Sequence, residues 1–516
     1  MINSFILFFI FVIKWIWWLF MEKIVSNEVM RQADKQTIEQ GTSSLTLIER
    51  AANALFSSFP WQGRIGIVCG KGNNGGDGIA LSILLKENDF DVSIILIDEN
   101  ISSDSRYYFQ KAKEKGIPIF YFSLDMPFDY DIIVDAIFGT GFKGKVEGKY
   151  LQAIEKINTS LGTIISIDIN SGLNGDNGMG DSIVNADITI AIGSFKYGHF
   201  LNKAKDNIKK LICKDIGINI QGKSSLLIDE EEVKRFFSPR INFSSKGSYG
   251  SCGIIGGSFK YPGAIKLASI GQNGIYVGAG ISKIIVPSSI SKEISSFVLE
   301  SSVVPLKFLD EEDYFCEEEL LEAIKGLKVL AIGVGLGQRK TCFHLLKYLL
   351  LNYEGTLIID ADGLNILSTF DLNILNSSKA KIVLTPHVKE FSRLIKKEID
   401  DIFNNFISYC DAFVNKYNVT LLLKGASTYV ASKEESYVVN TGCPGMASAG
   451  SGDVLTGVLA GICAYSSSSL TKTIAIGAYI NGKAGEYAQE KYGQYGMVSS
   501  DTGREVSFVI KDLCQK

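Results

Sequence analysis

Short, uninterrupted apolar runs, each closed by a glycine- or aspartate-bearing loop and followed by a helical stretch, recur along most of this chain. Residues 65–69, 92–97, 132–135, 163–169 and 188–192 form one series. Residues 253–256, 284–286, 329–332, 357–360, 382–384 and 420–423 form another. Continuous apolar strands separated by helices predict parallel sheets covered on both faces. The first series closes near residues 215–221. The polar stretch QGKSS at 221–225 then precedes LLIDEEEVKRFF, which reads as a fresh domain start. We therefore expect two α/β domains, 21–225 and 228–516, joined near 221–228. A helix is expected over 26–59, and the last helix-rich part opens at Asp453.

Composition narrows the function classes. Lys plus Arg is 52 and Asp plus Glu is 56, a net charge of −4 over 516 residues. That balance argues against a nucleic-acid binder, which needs a basic footprint. The 9 Cys include no C-x-x-C pair, and with only 3 His no zinc-ligand cluster is visible. Scattered, odd-numbered thiols fit a reduced, cytoplasmic protein. Residues 2–20 are almost wholly apolar, just long enough to span a bilayer, but Lys14 interrupts them. Two readings stand for 1–20: an upstream extension ahead of a start at Met21, or a membrane anchor.

In the first domain the run 65–69 leads into Gly70-Lys71-Gly72-Asn73-Asn74-Gly75-Gly76-Asp77-Gly78 and then a helix. A glycine-rich strand-to-helix turn exposes backbone N–H groups where phosphate binds well. No G-K-[ST] follows, so it is not a P-loop. Asp135 with Gly139-Thr140-Gly141-Phe142-Lys143-Gly144-Lys145, Asp168 with Ser171-Gly172, and Gly193-Ser194-Phe195-Lys196 follow later strands. Open α/β sheets bind ligands at such carboxyl ends.

NNGGDG at 73–78, DAIFGTG at 135–141 and SIDINSGLNGDNG at 166–178 resemble the YjeF amino-terminal family, the NAD(P)H-hydrate epimerases. The resemblance implies a Rossmann-like three-layer sandwich. It also implies that Asn73, Asn74, Gly75, Gly76, Asp77, Gly139, Thr140, Gly141, Phe142, Lys143, Gly144, Lys145 and Asp168 surround a hydrated dinucleotide. Asp168 is then the catalytic acid/base, and Asn74, Asp135 and Ser171 hold a potassium ion (K+). Asn170 stands where that family more often has proline, which removes a φ constraint from the loop.

In the second domain Gly256-Gly257-Ser258, Pro262-Gly263-Ala264, Gly333-Val334-Gly335-Leu336-Gly337, Asp360-Ala361-Asp362 and Thr385-Pro386-His387 all fall near strand ends. The strongest signal is Asn440-Thr441-Gly442-Cys443-Pro444-Gly445-Met446-Ala447-Ser448-Ala449-Gly450-Ser451-Gly452-Asp453. A-G-S-G-D opening a helix makes an anion hole from amides with a carboxylate at its mouth, an arrangement suited to phosphoryl transfer.

These motifs, in order, are similar to the YjeF carboxyl-terminal family, the ADP-dependent NAD(P)H-hydrate dehydratases, which have a ribokinase-like α/β fold. The resemblance implies that Ala264, Gly335, His387 and Asp453 contact the hydrated dinucleotide, with Asp453 catalytic. Lys424, Gly425, Ala426, Ser427, Thr428 and Gly452 then face the nucleotide. Val334 and Cys443 depart from the family pattern at backbone-shaping positions. Together the two resemblances imply epimerisation of the R and S hydrates of NADH and NADPH, then dehydration of the S form as ADP becomes AMP and phosphate. The implied cofactors are K+ in the first domain and Mg2+ in the second, with ADP as co-substrate. A homo-oligomer is expected. The rivals are a ribokinase-like small-molecule kinase fused to a ligand-binding domain, and a catalytically silent binding protein.

Overall fold

The computed structural model describes residues 21–272 and 277–514. The apolar segment 1–20, read above as an extension or an anchor, lies outside the described residues. Among the described residues no helix is long and apolar enough to cross a membrane. The chain divides into two compact units that meet between Leu226 and Leu227.

The first unit contains β1 (Lys23–Val25), β2 (Arg64–Cys69), β3 (Asp91–Leu96), β4 (Ile119–Tyr121), β5 (Ile132–Ala136), β6 (Thr163–Ile167), β7 (Ala186–Ile192), β8 (Phe195–Lys196), β9 (Ile208–Lys214) and β10 (Ser225–Leu227). Its seven-stranded sheet has the order β4-β3-β2-β5-β6-β7-β9 and is parallel throughout. Successive strand residues enter different cores. Ile67, Ile94 and Val134 join one cluster, while Val68, Ile95 and Ile133 join another on the opposite face. Strand order reverses between β2 and β5, so the ligand crevice of such a sheet belongs at their carboxyl ends. The short β1 pairs with β8 and β10.

Two expectations need correction here. The helix expected over 26–59 is two helices, Asn27–Glu39 and Ser44–Phe56, each capped by a serine hydroxyl, from Ser26 and Ser43. Gly41, at φ 102°, makes the break, a conformation glycine adopts without penalty. The run 163–169 is strand only to Ile167, because Asp168 turns out of the sheet at φ 64°.

The second unit contains β11 (Ser251–Ile255), β12 (Ile281–Pro287), β13 (Ser302–Leu306), β14 (Val329–Ile332), β15 (Thr356–Ile359), β16 (Lys381–Leu384), β17 (Thr420–Leu423), β18 (Thr428–Ala431) and β19 (Ser436–Val439). Their order is β13-β12-β11-β14-β15-β16-β17-β18-β19, parallel from β13 to β17 and antiparallel through the β17–β18–β19 meander. The order reverses between β11 and β14. Helices Pro262–Gln272 and Ser451–Cys463 run side by side and parallel. A Cβ on Gly450 would strike Leu267, one on Gly271 the Val454 carbonyl, and one on Gly461 would approach the Gln272 carbonyl, so the two registers advance together. Both amino ends therefore open on the same side.

Candidate active sites

In the first unit the glycine-rich turn brings the chain back onto its own backbone. A Cβ at Gly70 would overlap the Ile137 carbonyl, and one at Gly75 the Gly70 carbonyl. The Asn73–Glu87 helix starts inside the NNGGDG motif, with Gly72 as its N-cap. The motif is thus the first turn of the helix, whose leading amides lack intrahelical acceptors.

A cavity of about 690 Å³ opens there. It is lined by Asn73, Asn74 and Asp77, by Gly139, Thr140, Gly141, Phe142 and Lys143, and by Asp168. Gly75, Gly76, Gly144 and Lys145 do not reach its wall, and Asp135 and Ser171 lie beneath it. The cavity also draws in groups that the sequence reading passed over or named only as part of a loop: Met30, Asp34 and Ile38 from the Asn27–Glu39 helix, and Lys196 from β8.

Asp168 is the electrostatic centre of this cavity. Its carboxylate accepts from Lys196 Nζ at 2.5 Å, and that ammonium is 1% exposed. Burial pushes the Asp168 carboxyl up, but the adjacent Lys196 charge and hydrogen bond hold it below the usual carboxylate range. The Asp168 carbonyl accepts from His199 Nε2 at 2.7 Å, while His199 Nδ1 accepts from the Lys196 amide at 3.0 Å. Those partners fix a neutral Nε2–H tautomer, and burial together with the Lys196 charge lowers the imidazole to about 4. Among the described residues no counter-charge lies within hydrogen-bonding distance of Asp77 or Asp34. Burial and the Asp168 charge raise Asp77 well above its ordinary value and Asp34 to about 6.

Beneath the cavity Asp135 is wholly buried. It accepts from Ser166 Oγ at 2.8 Å, the Ser171 amide at 2.9 Å and Ser171 Oγ at 2.5 Å. Among the described residues no lysine or arginine pairs with it. Asn74 Nδ2 donates to the Phe138 carbonyl at 3.0 Å, which leaves Asn74 Oδ1 buried without a partner. Asn170, in place of the family's proline, is also fully buried. It donates to the Val184 and Asn207 carbonyls at 2.8 Å and accepts from Thr189 Oγ1 at 2.5 Å. Side-chain hydrogen bonds thus do the work of the missing φ constraint.

In the second unit Gly450, at φ 92°, caps the Ser451–Cys463 helix. Helix geometry leaves the Gly452 and Asp453 amides without intrahelical acceptors. Lys424 Nζ sits over this end, since a Cβ on Gly452 would lie 3.3 Å from it and 3.7 Å from Asp360 Oδ2. Lys424 pairs with the buried Asp360 at 2.9 Å, and Thr456 Oγ1 donates to the same carboxylate at 2.6 Å. Burial works against the Lys424 ammonium, but Asp360 and Glu390 keep it charged and raised. Burial and the Asp360 charge lift Asp453 to about 7, against the pull of Lys424.

His387 bridges to Lys424 across the strand ends and caps the Val388–Ile395 helix through Nδ1. On the other side Gly335 abuts Ala264, whose Cβ would lie 2.7 Å from a Cβ added at Gly335. The Gly337 amide donates to Asp362 at 2.8 Å. Ser427 Oγ donates to Asn440 at 2.7 Å, tying the Gly425–Thr428 turn to the start of the N-T-G-C-P-G-M run. Asp360 was legible in the sequence only as one of two strand-end carboxylates, and Thr456 and Glu390 were not singled out, because a buried polar support looks like any other helix residue.

Both units are thus parallel α/β folds with glycine loops and acidic side chains at the switch point of the sheet, the layout of enzymes that bind nucleotides. The family model described as YjeF-related protein N-terminus matches residues 44–198, and that described as NAD(P)H-hydrate dehydratase matches 252–507. A bifunctional NAD(P)H-hydrate repair enzyme of Moorella thermoacetica is 31% identical over 95% of this chain and 97% of its own length. One of Dictyoglomus turgidum is 31% identical over 96% and 99%. A crystal structure of a hypothetical protein from Streptococcus mutans superimposes with TM-score 0.50 at 23% identity, covering 56% of this chain and 100% of that one. The chain belongs to the family of bifunctional NAD(P)H-hydrate repair enzymes.

Proposed function

We propose that this protein restores hydrated NADH and NADPH, with the epimerase in residues 21–225 and the ADP-dependent dehydratase in 228–516. The observation that carries the reading is the pairing, in one chain, of an acid/base cavity around Asp168 with an amide-lined helix end around Asp453. Family membership over nearly the whole length supports it. Asp168, kept ionised by Lys196, handles the proton at C6 of the hydrated ring. Residues 73–77 and 139–145 form the dinucleotide cradle, with Gly75, Gly76, Gly144 and Lys145 setting its backbone rather than its wall.

Water is a poor leaving group, and phosphorylation of the C6 hydroxyl makes it a good one. Asp453 takes the hydroxyl proton as the terminal phosphoryl of ADP moves to that oxygen, while the Gly452 and Asp453 amides and Lys424 receive the developing charge. The ring nitrogen then expels phosphate, C5 gives up a proton, and AMP and the reduced cofactor remain. Ala264, Gly335 and His387 border the dinucleotide; Lys424, Gly425, Ala426, Ser427, Thr428 and Gly452 border the nucleotide.

The orphaned Asn74 Oδ1 and the unpaired buried Asp135 carboxylate fit a hard cation, so Asn74, Asp135 and Ser171 would hold K+. When bound, that ion would supply fixed positive charge ordering the loop after β5. Among the described residues no group of His, Cys, Asp and Glu forms a complete metal shell. An Mg2+ ion that keeps its waters and rides on the nucleotide phosphates needs none.

The test is to supply purified chain with mixed hydrate epimers and ADP and follow recovery of reduced-cofactor absorbance. Recovery supports the reading. No recovery with ADP, but turnover of a sugar or vitamin with ATP, would favour a kinase; binding without turnover would favour a silent module.

A further inference from the structure

Met30, Asp34 and Ile38 project from the Asn27–Glu39 helix into the first-unit cavity at fourfold spacing, so one helical stripe forms a wall of the site. Two of these residues are apolar, and the carboxylate between them is out of place in a structural stripe. Among the described residues no side chain or amide is hydrogen-bonded to the Asp34 carboxylate. The charged groups sharing the cavity are Lys71, Asp77, Asp104, Lys143, Asp168 and Lys196. Of these the buried Lys196 is committed to Asp168.

We propose that Asp34 is a second catalytic group of the epimerase, exchanging protons with the C6 hydroxyl in alternation with Asp168. The inference rests on the epimerase reading above.

The chemistry asks for two groups of unequal acidity. Inverting C6 requires the hydroxyl to leave one face and water to add to the other. Asp34 gives its proton to the C6 hydroxyl oxygen as the C–O bond breaks, and the ring-nitrogen lone pair forms the C=N bond. Water then attacks C6 from the opposite face and passes its proton to the Asp168 carboxylate. One water leaves and one enters, with no oxidation or reduction. Asp34 ends deprotonated and Asp168 protonated, the state required for the reverse conversion.

The environments supply that inequality. Burial and Asp168 raise Asp34 to about 6, against the pull of Lys196, whereas Asp168 is held low. Groups pushed apart in this way mark acid and base. Asp77 is raised too, by its burial and by the Asp168 and Asp34 charges.

The experiment uses the full chain and a single purified epimer of the NADH hydrate, with appearance of the other epimer followed chromatographically. Asp34→Asn should lower kcat for epimerisation about 10²–10³-fold with little change in KM. It should also abolish the decline in rate as pH rises through about 6. Asp34→Glu should recover part of kcat, and ADP-dependent dehydration of the S epimer should be unchanged in both variants.

An Asn variant that keeps the wild-type rate overturns the inference. So does a loss that Glu cannot relieve, or one expressed in KM alone, since either marks a structural role. A wild-type chain that does not interconvert the epimers overturns the epimerase reading itself.

Discussion

Replacing Lys196 by methionine isolates the contact on which the first site depends. The ammonium makes two hydrogen bonds, to Asp168 Oδ1 at 2.5 Å and to the Ile192 carbonyl at 2.8 Å. The Ile192 carbonyl still accepts from the Ser194 amide at 2.9 Å, so the loss falls on Asp168. Among the described residues that carboxylate then keeps only the Ile192 amide, at 3.4 Å, and it is 14% exposed. Removing one partner of a buried pair costs about 3–5 kcal/mol. In a unit of this size each kcal/mol lowers Tm by roughly 2–4 °C, so the first-unit transition should fall by roughly 6–20 °C near neutral pH.

The deficit should depend on pH, with a definite sign. In the wild type Asp168 is held below its unfolded value, so its stabilisation is fully present above the unfolded value and constant between about pH 5 and 8. In the variant burial raises it, so the folded state gains a proton and stability as pH falls. Calorimetry across that range should show the gap between the two proteins closing on acidification, by at most about 1.4 kcal/mol per pH unit. A gap that stays constant would refute the reasoning and reduce Lys196 to a packing residue.

Three further outcomes follow from the second unit. Asp453→Asn should cut ADP-dependent dehydration about 10²–10⁴-fold while leaving epimerisation intact. In the wild type that rate should rise with pH through about 7, because burial and Asp360 raise the carboxyl that must be ionised to accept the proton; steady-state profiles check both. Gly450→Ala places a Cβ against Leu267 and Ser499 at φ 92°. It should cost about 1–3 kcal/mol and depress dehydration, read by thermal melting and by rate.

Much of the sheet was legible because both faces of each strand are buried, which makes the apolar runs continuous. Edge strands, exposed on both faces, escaped. β9, Ile-Lys-Lys-Leu-Ile-Cys-Lys, has two adjacent exposed lysines, and β13 carries an exposed Pro305 and buries only Leu306 fully. The β18–β19 hairpin also escaped, although its strands Thr-Tyr-Val-Ala and Ser-Tyr-Val-Val are rich in Tyr and Val.

The glycine loops announced both crevices, since close backbone approach leaves a compositional trace. Buried charge leaves none. Asp34 looks like any polar residue on an amphipathic helix, and Lys196 and His199 reach Asp168 only because β7 and β8 bring residues 28 and 31 positions away beside it. The compensation at Asn170 was likewise invisible, because its partners Val184, Thr189 and Asn207 converge only in the fold.

The division of labour between the two carboxylates is tested most directly by giving Asp168→Asn the full epimer mixture with ADP. The variant should dehydrate the S fraction at the wild-type rate, stop near that fraction, and creep onward only as fast as the epimers interconvert spontaneously. Wild type should run to completion in a single phase. Complete, single-phase conversion by the variant would show that Asp168 is not the epimerising group.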